Sequence, residues 1–540
     1  MNNFRLEKYK LQLLAAISAQ KSIILHVLAY GLILAGTLPL VFKNVSPGYD
    51  PYYIMYTIGR FVKDGVWSSG LSYSFEFTPL YYGFYIGILK LLKISPQIGV
   101  LVANYSDYFF GLLLVVIFEL IIRKIQKRWE IPFFILMLFL VPVFWYVSLF
   151  SHPITISFLF FFISFYIFMQ YFHAERSKQR NTLFIIALVC FISALLFRSD
   201  SVFMILLFPA SLFTLRKESL KNFFTTGIFL FLGILGYTIA RFFILGEIGY
   251  GEDITLLIHQ GGYSVWSYGL EIFTYSIGIG GMLVFLISLI ILAVKKDWRR
   301  IILPVSGIAL VLAALFPSAI AIRRFYYIVP LIIMLAYFAF LSVGQEKNKQ
   351  KLIAAFLSIL VFFNFLIPAF LGKVEENFKA RGRYFDAYKI RFLSYDIVKR
   401  QRREKARQEE LREFSEELLL PFDKPVIVLA DWNDIGAICY HFFRKDQVDK
   451  EYDFKEPDID LFSHVIELKN GNKFFFNERA IPGGDSLEYF LAEGNVEKYE
   501  GYYLILLVRK QKEDMGSIKR YFQFIEIDEN KYKDVVIVEY

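Results

Sequence analysis

The chain has 540 residues, of which 56% are hydrophobic and 19% aromatic, and its net charge is +9. That much apolar surface excludes an ordinary soluble globular protein; long apolar runs between short charged connections point instead to membrane spans. The positive charge does not mark a nucleic-acid binder, because the basic residues fall in those connections, where they orient a protein in the lipid bilayer.

Residues 1–21 are mixed and amphipathic, and the apolar run after them has no small-residue cleavage site, so 22–42 is expected to be a retained first span rather than a signal peptide. A span needs about 20 mainly apolar residues. On that measure further spans are predicted at 98–122, 132–150, 153–173, 182–197, 201–215, 222–245, 270–294, 300–318, 325–343 and 351–371, eleven in all. Residues 79–92 are too short and are placed as a juxtamembrane helix on the outer surface. With them excluded, the basic connections at 123–128, 176–180, 216–221, 295–300 and 347–351 all fall on the side of the N-terminus, which the positive-inside rule makes cytoplasmic. Residues 43–97, 246–269 and everything after 371 then face outward.

The tail opens with a charged helical stretch at 395–420 and turns to strand-like runs at 425–430, 502–508 and 535–538. The expected organisation is a membrane domain over 1–371, a charged connector over 372–420, and an extracytoplasmic α/β domain over 421–540. Cys190 lies in an apolar span and Cys439 in the tail, so no disulfide framework is expected. No inverted repeat of the transporter kind is visible.

The first outer loop carries the most informative residues. Asp50-Pro51-Tyr52-Tyr53 reads as a helix start, with a carboxylate N-cap and proline at the first helical position. Gly65 reads as the C-cap. On spacing alone, capping accounts for Asp50. Its context adds a second reading: a carboxylate just beyond the first span, among tyrosines, is placed to act as general base on an acceptor hydroxyl. Glu76 and then Thr78-Pro79-Leu80-Tyr81-Tyr82 follow, leading into the juxtamembrane helix.

These features, in this order, resemble the polytopic glycosyltransferases of the C superfold (GT-C), whose donors are sugars on polyprenyl phosphate. Asp50-Pro51-Tyr52-Tyr53 is similar to the start of the catalytic loop in archaeal oligosaccharyltransferase subunits. Thr78-Pro79-Leu80-Tyr81-Tyr82 is similar to the His-Pro-Pro-Leu-Tyr-Tyr segment of the protein mannosyltransferase and aminoarabinose transferase branch, with Phe77 and Thr78 replacing the histidine and first proline. Arg198-Ser199-Asp200 resembles the Arg-Pro-Glu break in a GT-C span. Arg198 and Asp200 are open to two readings, a substrate contact or mutual satisfaction at the interface. Arg323-Arg324-Phe325-Tyr326-Tyr327-Ile328-Val329-Pro330 is similar to a late Arg-Tyr-x-x-x-x-Pro element of the membrane core.

The resemblance implies a membrane glycosyltransferase that moves a sugar, with inversion, from a polyprenyl (dolichyl or undecaprenyl) phosphate to a glycan, lipid or protein acceptor on the outer face. Asp50 would be the base. Arg323, Arg324 and Arg198 would hold the lipid phosphate through charge-assisted hydrogen bonds. GT-C enzymes often carry a second acidic motif in an outer loop, but Ser151-His152-Pro153 has no carboxylate. His152 is therefore a candidate polar contact, Glu76, Asp200, Glu252 and Asp253 are candidate substrate or metal contacts, and Mg or Mn is the metal to test. Asp107 sits within a span and calls for a polar partner; it is read as structural. Trp432, Asp434 and Gly436 match three of the five positions of the Trp-Trp-Asp-Tyr-Gly signature with which oligosaccharyltransferases hold their acceptor. A strand-to-helix turn would select Asp, Asn and Gly equally well. The alternatives carried forward are an oligosaccharyltransferase-like protein glycosylation enzyme and a lipid flippase or transporter without transferase activity.

Overall fold

The structure is a computed structural model. It describes residues 24–35, 50–65, 78–126, 152–245, 265–315, 328–343, 346–366, 397–422, 424–430, 432–454, 463–478, 503–506, 508–509, 527–528 and 535–538. The chain divides into two compact units, one of residues 1–41 and 107–398, the other of residues 42–106 and 399–540.

The first unit is helical. Its described elements are α1 (Ile24–Ala35), most of α4 (Gly99–Gln126), α5 (Pro153–Tyr171), α6 (Ser177–Phe197), a 3-10 turn (Ser199–Met204), α7 (Leu207–Thr214), α8 (Leu220–Leu245), α9 (Val265–Val294), α10 (Trp298–Leu315), α11 (Val329–Ser342) and α12 (Glu346–Val361). Among the described residues, four stretches are long and apolar enough to cross a membrane: Pro153–Tyr171, Ser177–Phe197, Leu220–Leu245 and Ile277–Val294. In lipid, helices gain little from hydrophobic burial against each other, so close packing and interhelical hydrogen bonds hold them. Phenylalanines supply the packing. Phe158, Phe161, Phe162, Phe165 and Phe168 of α5 mesh with Phe118 of α4, Phe191 of α6, Phe208 of α7 and Phe229 of α8. Gly233 makes room for this cluster, since a Cβ there would stand 2.3 Å from the Phe191 ring. Ser157 and Ser164 of α5 donate to the Ala194 and Ala187 carbonyls of α6 at 2.8 and 2.7 Å, adding about 0.6 kcal/mol each by the usual membrane values.

Several expected spans differ in detail. The run at 201–215 is not one helix. Arg198 is extended (φ −165°), a 3-10 turn follows, and α7 is only 8 residues long, because Arg198-Ser199-Asp200 interrupts the apolar pattern. In the described part of the run at 325–343, α11 starts at Val329, with Pro330 in the first turn, where a missing N–H costs nothing. The run at 270–294 begins earlier and is broken at Gly278 (φ 74°, ψ 163°), a conformation essentially reserved for glycine. The backbone freed by the break is met by Asn364, in a π-helical turn (Phe362–Leu366) after α12. Its Oδ1 accepts from Gly280 N at 3.1 Å, and its Nδ2 donates to Ile277 O at 3.2 Å. The predicted span at 132–150 lies outside the described residues.

The second unit joins α2 (Asp50–Asp64), α3 (Pro79–Leu91), a short 3-10 turn (Pro96–Ile98) and the start of α4 to α13 (Ile397–Glu417) and a mixed sheet. Helix α2 ends as expected at Gly65, whose φ of +72° accompanies a hydrogen bond from its N–H to Phe61 O at 3.2 Å. Five strands are ordered β2-β3-β4-β1-β5: β1 (Val426–Ala430), β2 (Val448–Phe454), β3 (Ser463–Leu468), β4 (Lys473–Glu478) and β5 (Tyr503–Leu506). Strand β1 runs parallel to β4 and β5, with Val428 opposite Phe476 and Ile505, while β3 is antiparallel to β2 and β4. A parallel pair needs a crossover, and α14 (Trp432–Arg444) leaves directly from β1. Three further strands, β6 (Val508–Arg509), β7 (Ile527–Asp528) and β8 (Val535–Val538), form a small antiparallel sheet ordered β6-β8-β7.

Candidate functional site

In the helical unit, polar residues gather where α5 begins and α6 ends. Helix α5 opens on His152, whose Nδ1 accepts from Ile154 N at 3.2 Å while Pro153 takes the first helical position. An accepting Nδ1 leaves the ring proton of the neutral imidazole on Nε2. The backbone N–H of His152 donates in turn to Asp107 Oδ2 of α4 at 2.8 Å, and Asp107 is fully buried. Asp107 thus has the partner that its place within an apolar helix calls for. Across from it, Ser157 Oγ lies 2.5 Å from Ser201 Oγ and 3.3 Å from the Arg198 carbonyl. Arg198 Nε donates to Asp200 Oδ2 at 2.8 Å. So Asp107, His152, Arg198 and Asp200 share one end of the α4–α5–α6 packing. At the other end of α7, Thr214 Oγ1 donates to Arg299 O at 3.0 Å and Arg299 meets Glu218 at 2.5 Å. Two of the basic connections therefore lie side by side, remote from the Arg198 turn.

In the second unit, α2 begins one residue earlier than the Asp-Pro pair predicts: Asp50, expected as the N-cap, is the first helical residue and Pro51 the second. The helix it opens is fastened along its length. Tyr52 meets Tyr440 of α14 edge to face at 5.6 Å, and Tyr56 meets Phe443 at 6.1 Å. Tyr56 Oη donates to Glu451 Oε2 of β2 at 2.8 Å. Burial and the Glu451 carboxylate both push the Tyr56 phenol well above its ordinary pKa, so it stays a donor. Arg60 Nε is 3.5 Å from the same Glu451 oxygen, and Arg60 Nη1 is 2.5 Å from Asp64. Lys63 and Lys469 both pair with Asp446, and their hydrogen bonds hold its carboxyl down at about 2. From α14, Tyr440 Oη also donates to Gln97 O at 3.0 Å and accepts from Val100 N at 3.2 Å, tying down the entry to α4.

The signature-like residues of the tail do not form a turn. Trp432, Asp434 and Gly436 all lie in the first turns of α14. Asp434 is 4% exposed, and both of its oxygens are 2.5 Å from Arg407 Nη2 of α13, which joins the charged helix to α14. Glu76, Glu252, Asp253, Arg323 and Arg324 lie outside the described residues. Among the described residues no three His, Cys, Asp or Glu side chains gather so as to hold a metal ion. His152 and Asp200 are engaged by Ile154 and Arg198, which does not fit a metal pair. Cys190 and Cys439 are both free, and burial raises the Cys439 thiol pKa. The residues that sequence reasoning missed are Tyr56, Arg60, Tyr440 and Glu451. Only the amphipathic spacing of α2 hints at them.

The chain thus carries an all-helical unit of long apolar helices and a second unit of a first-loop helix and an α/β sheet. Two solved structures share this fold over nearly the whole chain. One is ArnT from Cupriavidus metallidurans in the apo state: TM-score 0.57, 10% identity, 96% of this chain and 98% of that one covered. The other is the same protein bound to undecaprenyl phosphate: TM-score 0.54, 12% identity, 94% and 97% covered. No protein-family model matches the sequence, and no curated protein matches it.

Proposed function

We propose that this chain is a membrane glycosyltransferase that takes its sugar from a polyprenyl-phosphate-linked donor. The observation that carries the proposal is a fold shared from end to end with ArnT, which has been seen with undecaprenyl phosphate bound. Asp50, at the head of α2, is the general base. It takes the proton of an acceptor hydroxyl or amine as that group attacks the anomeric carbon from the face opposite the phosphate. The bond from the anomeric carbon to the phosphate oxygen breaks with its electron pair, so the configuration inverts and polyprenyl phosphate departs. Arg323 and Arg324, with Arg198, stabilise the charge that develops on the leaving phosphate.

The same reading places the N-terminus in the cytoplasm and the sheet outside. Its support is the positive-inside pattern, together with the meeting of the basic connections at Thr214, Glu218 and Arg299. The division into a membrane domain over 1–371, a connector over 372–420 and an α/β domain over 421–540 belongs to the proposal as well. An oligosaccharyltransferase-like role, with Trp432 and Asp434 binding the acceptor, is less favoured because Arg407 already occupies Asp434.

The test is Asp50→Asn in proteoliposomes supplied with radiolabelled undecaprenyl-phosphate sugars and envelope extract as acceptor. Loss of about 10³-fold or more in transfer by a folded variant is expected for a base. Undiminished transfer would remove Asp50 from the mechanism.

A further inference from the structure

Helix α14 and strand β2 of the C-terminal region are shaped to grip α2, the helix that begins at Asp50. At Gly436 the α14 backbone comes close to the α2 backbone. A Cβ there would stand 2.9 Å from Tyr53 Cβ and 3.2 Å from Tyr53 N, so the glycine lies almost on the α2 backbone. Tyr53 is one turn along from Asp50, and in a helix such residues share a face and move together. A second close approach lies at Gly59, where a Cβ would fall 2.5 Å from the Phe443 ring. Between these two knuckles the Tyr56 hydroxyl bonds the Glu451 carboxylate, and the 2%-exposed Glu451 side chain faces Arg60.

Helix packing alone needs none of this. Burying an ion pair offers little net stability over an apolar pair of similar volume, but it does fix register. Backbone-to-backbone contact through glycine fixes the distance. The two devices act in complementary directions. Gly436 sets how close the first turn of α2 lies to α14, and Tyr56–Glu451–Arg60 sets its rotation and its position along the axis.

We propose that Gly436 and Glu451 are positioning residues for Asp50, so that the C-terminal region holds the base in register for the reaction. This rests on the reading of Asp50 given above. It also gives Gly436 a role unlike acceptor binding: the residue touches α2, not substrate. Displacements of about 1 Å away from the chemistry can cost on the order of 100-fold in rate, and a side chain at Gly436 must move either Tyr53 or α14.

The test uses the full-length protein in nanodiscs and compares Gly436→Ala, Gly436→Leu and Glu451→Gln with Asn472→Ala. Asn472 lies in the same region, bonding Phe422 N and the Leu418 and Leu420 carbonyls, so its variant loosens the fold away from α2. Two readouts are taken: kcat and donor KM for transfer from undecaprenyl-phosphate sugar, and amide hydrogen exchange over residues 51–60. Gly436→Leu should lower kcat about 100-fold, and Glu451→Gln and Gly436→Ala about 10-fold. Donor KM should stay within about twofold, and exchange in 51–60 should be faster. Asn472→Ala should leave kcat and exchange in 51–60 unchanged while lowering thermal stability.

Unchanged exchange in 51–60 for both Glu451→Gln and Gly436→Ala would overturn the grip itself. Faster exchange with unchanged kcat would overturn its role in positioning the base. An active Asp50→Asn, by contrast, overturns the assignment of the base whatever the exchange data show, so the two failures are distinguishable. Glu451→Gln keeps shape and volume, so misfolding of Gly436→Leu would leave the test intact.

Discussion

Replacing Asp434 separates two incompatible roles for the tail. Its carboxylate is 4% exposed and both its oxygens meet Arg407 Nη2 at 2.5 Å, while the Arg407 side chain is itself only 10% exposed. Asp434→Ala removes one partner and strands a guanidinium in a nearly dry site, a change that costs about 3–5 kcal/mol. At about 1.4 kcal/mol per decade, this lowers the folding constant of the α13–α14 region roughly 100- to 4,000-fold. For a region of this size the midpoint should fall by about 10 °C.

The double variant Arg407→Met with Asp434→Leu, which exchanges the pair for apolar groups of similar volume, should recover most of that loss. The assay is thermal unfolding of the full-length protein in detergent, followed by tryptophan fluorescence, with acceptor KM measured well below the midpoint. A structural Asp434 predicts a lowered midpoint and an unchanged acceptor KM. An unchanged midpoint with a raised acceptor KM would refute the argument and restore the oligosaccharyltransferase-like role.

Other consequences follow from particular contacts. Gly278→Ala places a Cβ 2.0 Å from Asn364 Oδ1 at φ 74°. It should cost about 3 kcal/mol or more, whereas Gly31→Ala, with nothing within 4 Å, should leave the detergent melting temperature nearly unchanged. Asp107→Ala removes the acceptor of the His152 N–H and should destabilise by about 1–3 kcal/mol, while Asp107→Asn should recover much of that in the same melt. Burial lowers the His441 pKa from 6.5 to about 4, outweighing Glu416 at 3.7 Å. The unfolded chain therefore binds more protons between those values, and stability should fall as pH drops through 6.5, by about 3 kcal/mol once pH reaches 4. His441→Gln should flatten that part of the stability–pH curve measured by chemical denaturation.

What could be foreseen from the sequence follows the range of the interactions involved. Local chemistry was legible. The Asp-Pro pair marks the start of α2 and Gly65 its end, His152-Pro153 starts α5, Arg198-Ser199-Asp200 interrupts a span, and continuous apolar runs mark β1 and β8. Contacts made across long separations were not. The break in α9 is hinted at by Gly278, Gly280 and Gly281, but the side chain that meets it, Asn364, lies 84 residues after Gly280. Glu451 looks like any exposed carboxylate on an edge strand until Tyr56, 395 residues earlier, is laid against it. The Trp432–Gly436 window shows how packing adds contacts that a short motif does not reveal. A short motif suggested a substrate contact, and three-dimensional packing uses Asp434 to tie two helices and Gly436 to let a third approach. The candidate phosphate grips, Arg323 and Arg324, rest on their sequence pattern alone.

The most direct measurement of the central claim follows the donor rather than the acceptor. Purified protein in liposomes is given undecaprenyl-phosphate sugar labelled in both lipid and sugar, with envelope extract as acceptor, alongside the Arg323→Gln/Arg324→Gln variant. A polyprenyl-phosphate-dependent glycosyltransferase releases one undecaprenyl phosphate for each sugar transferred, and the arginine variant should lose both products together. Movement of intact donor across the bilayer with neither product formed would identify a flippase and contradict the account.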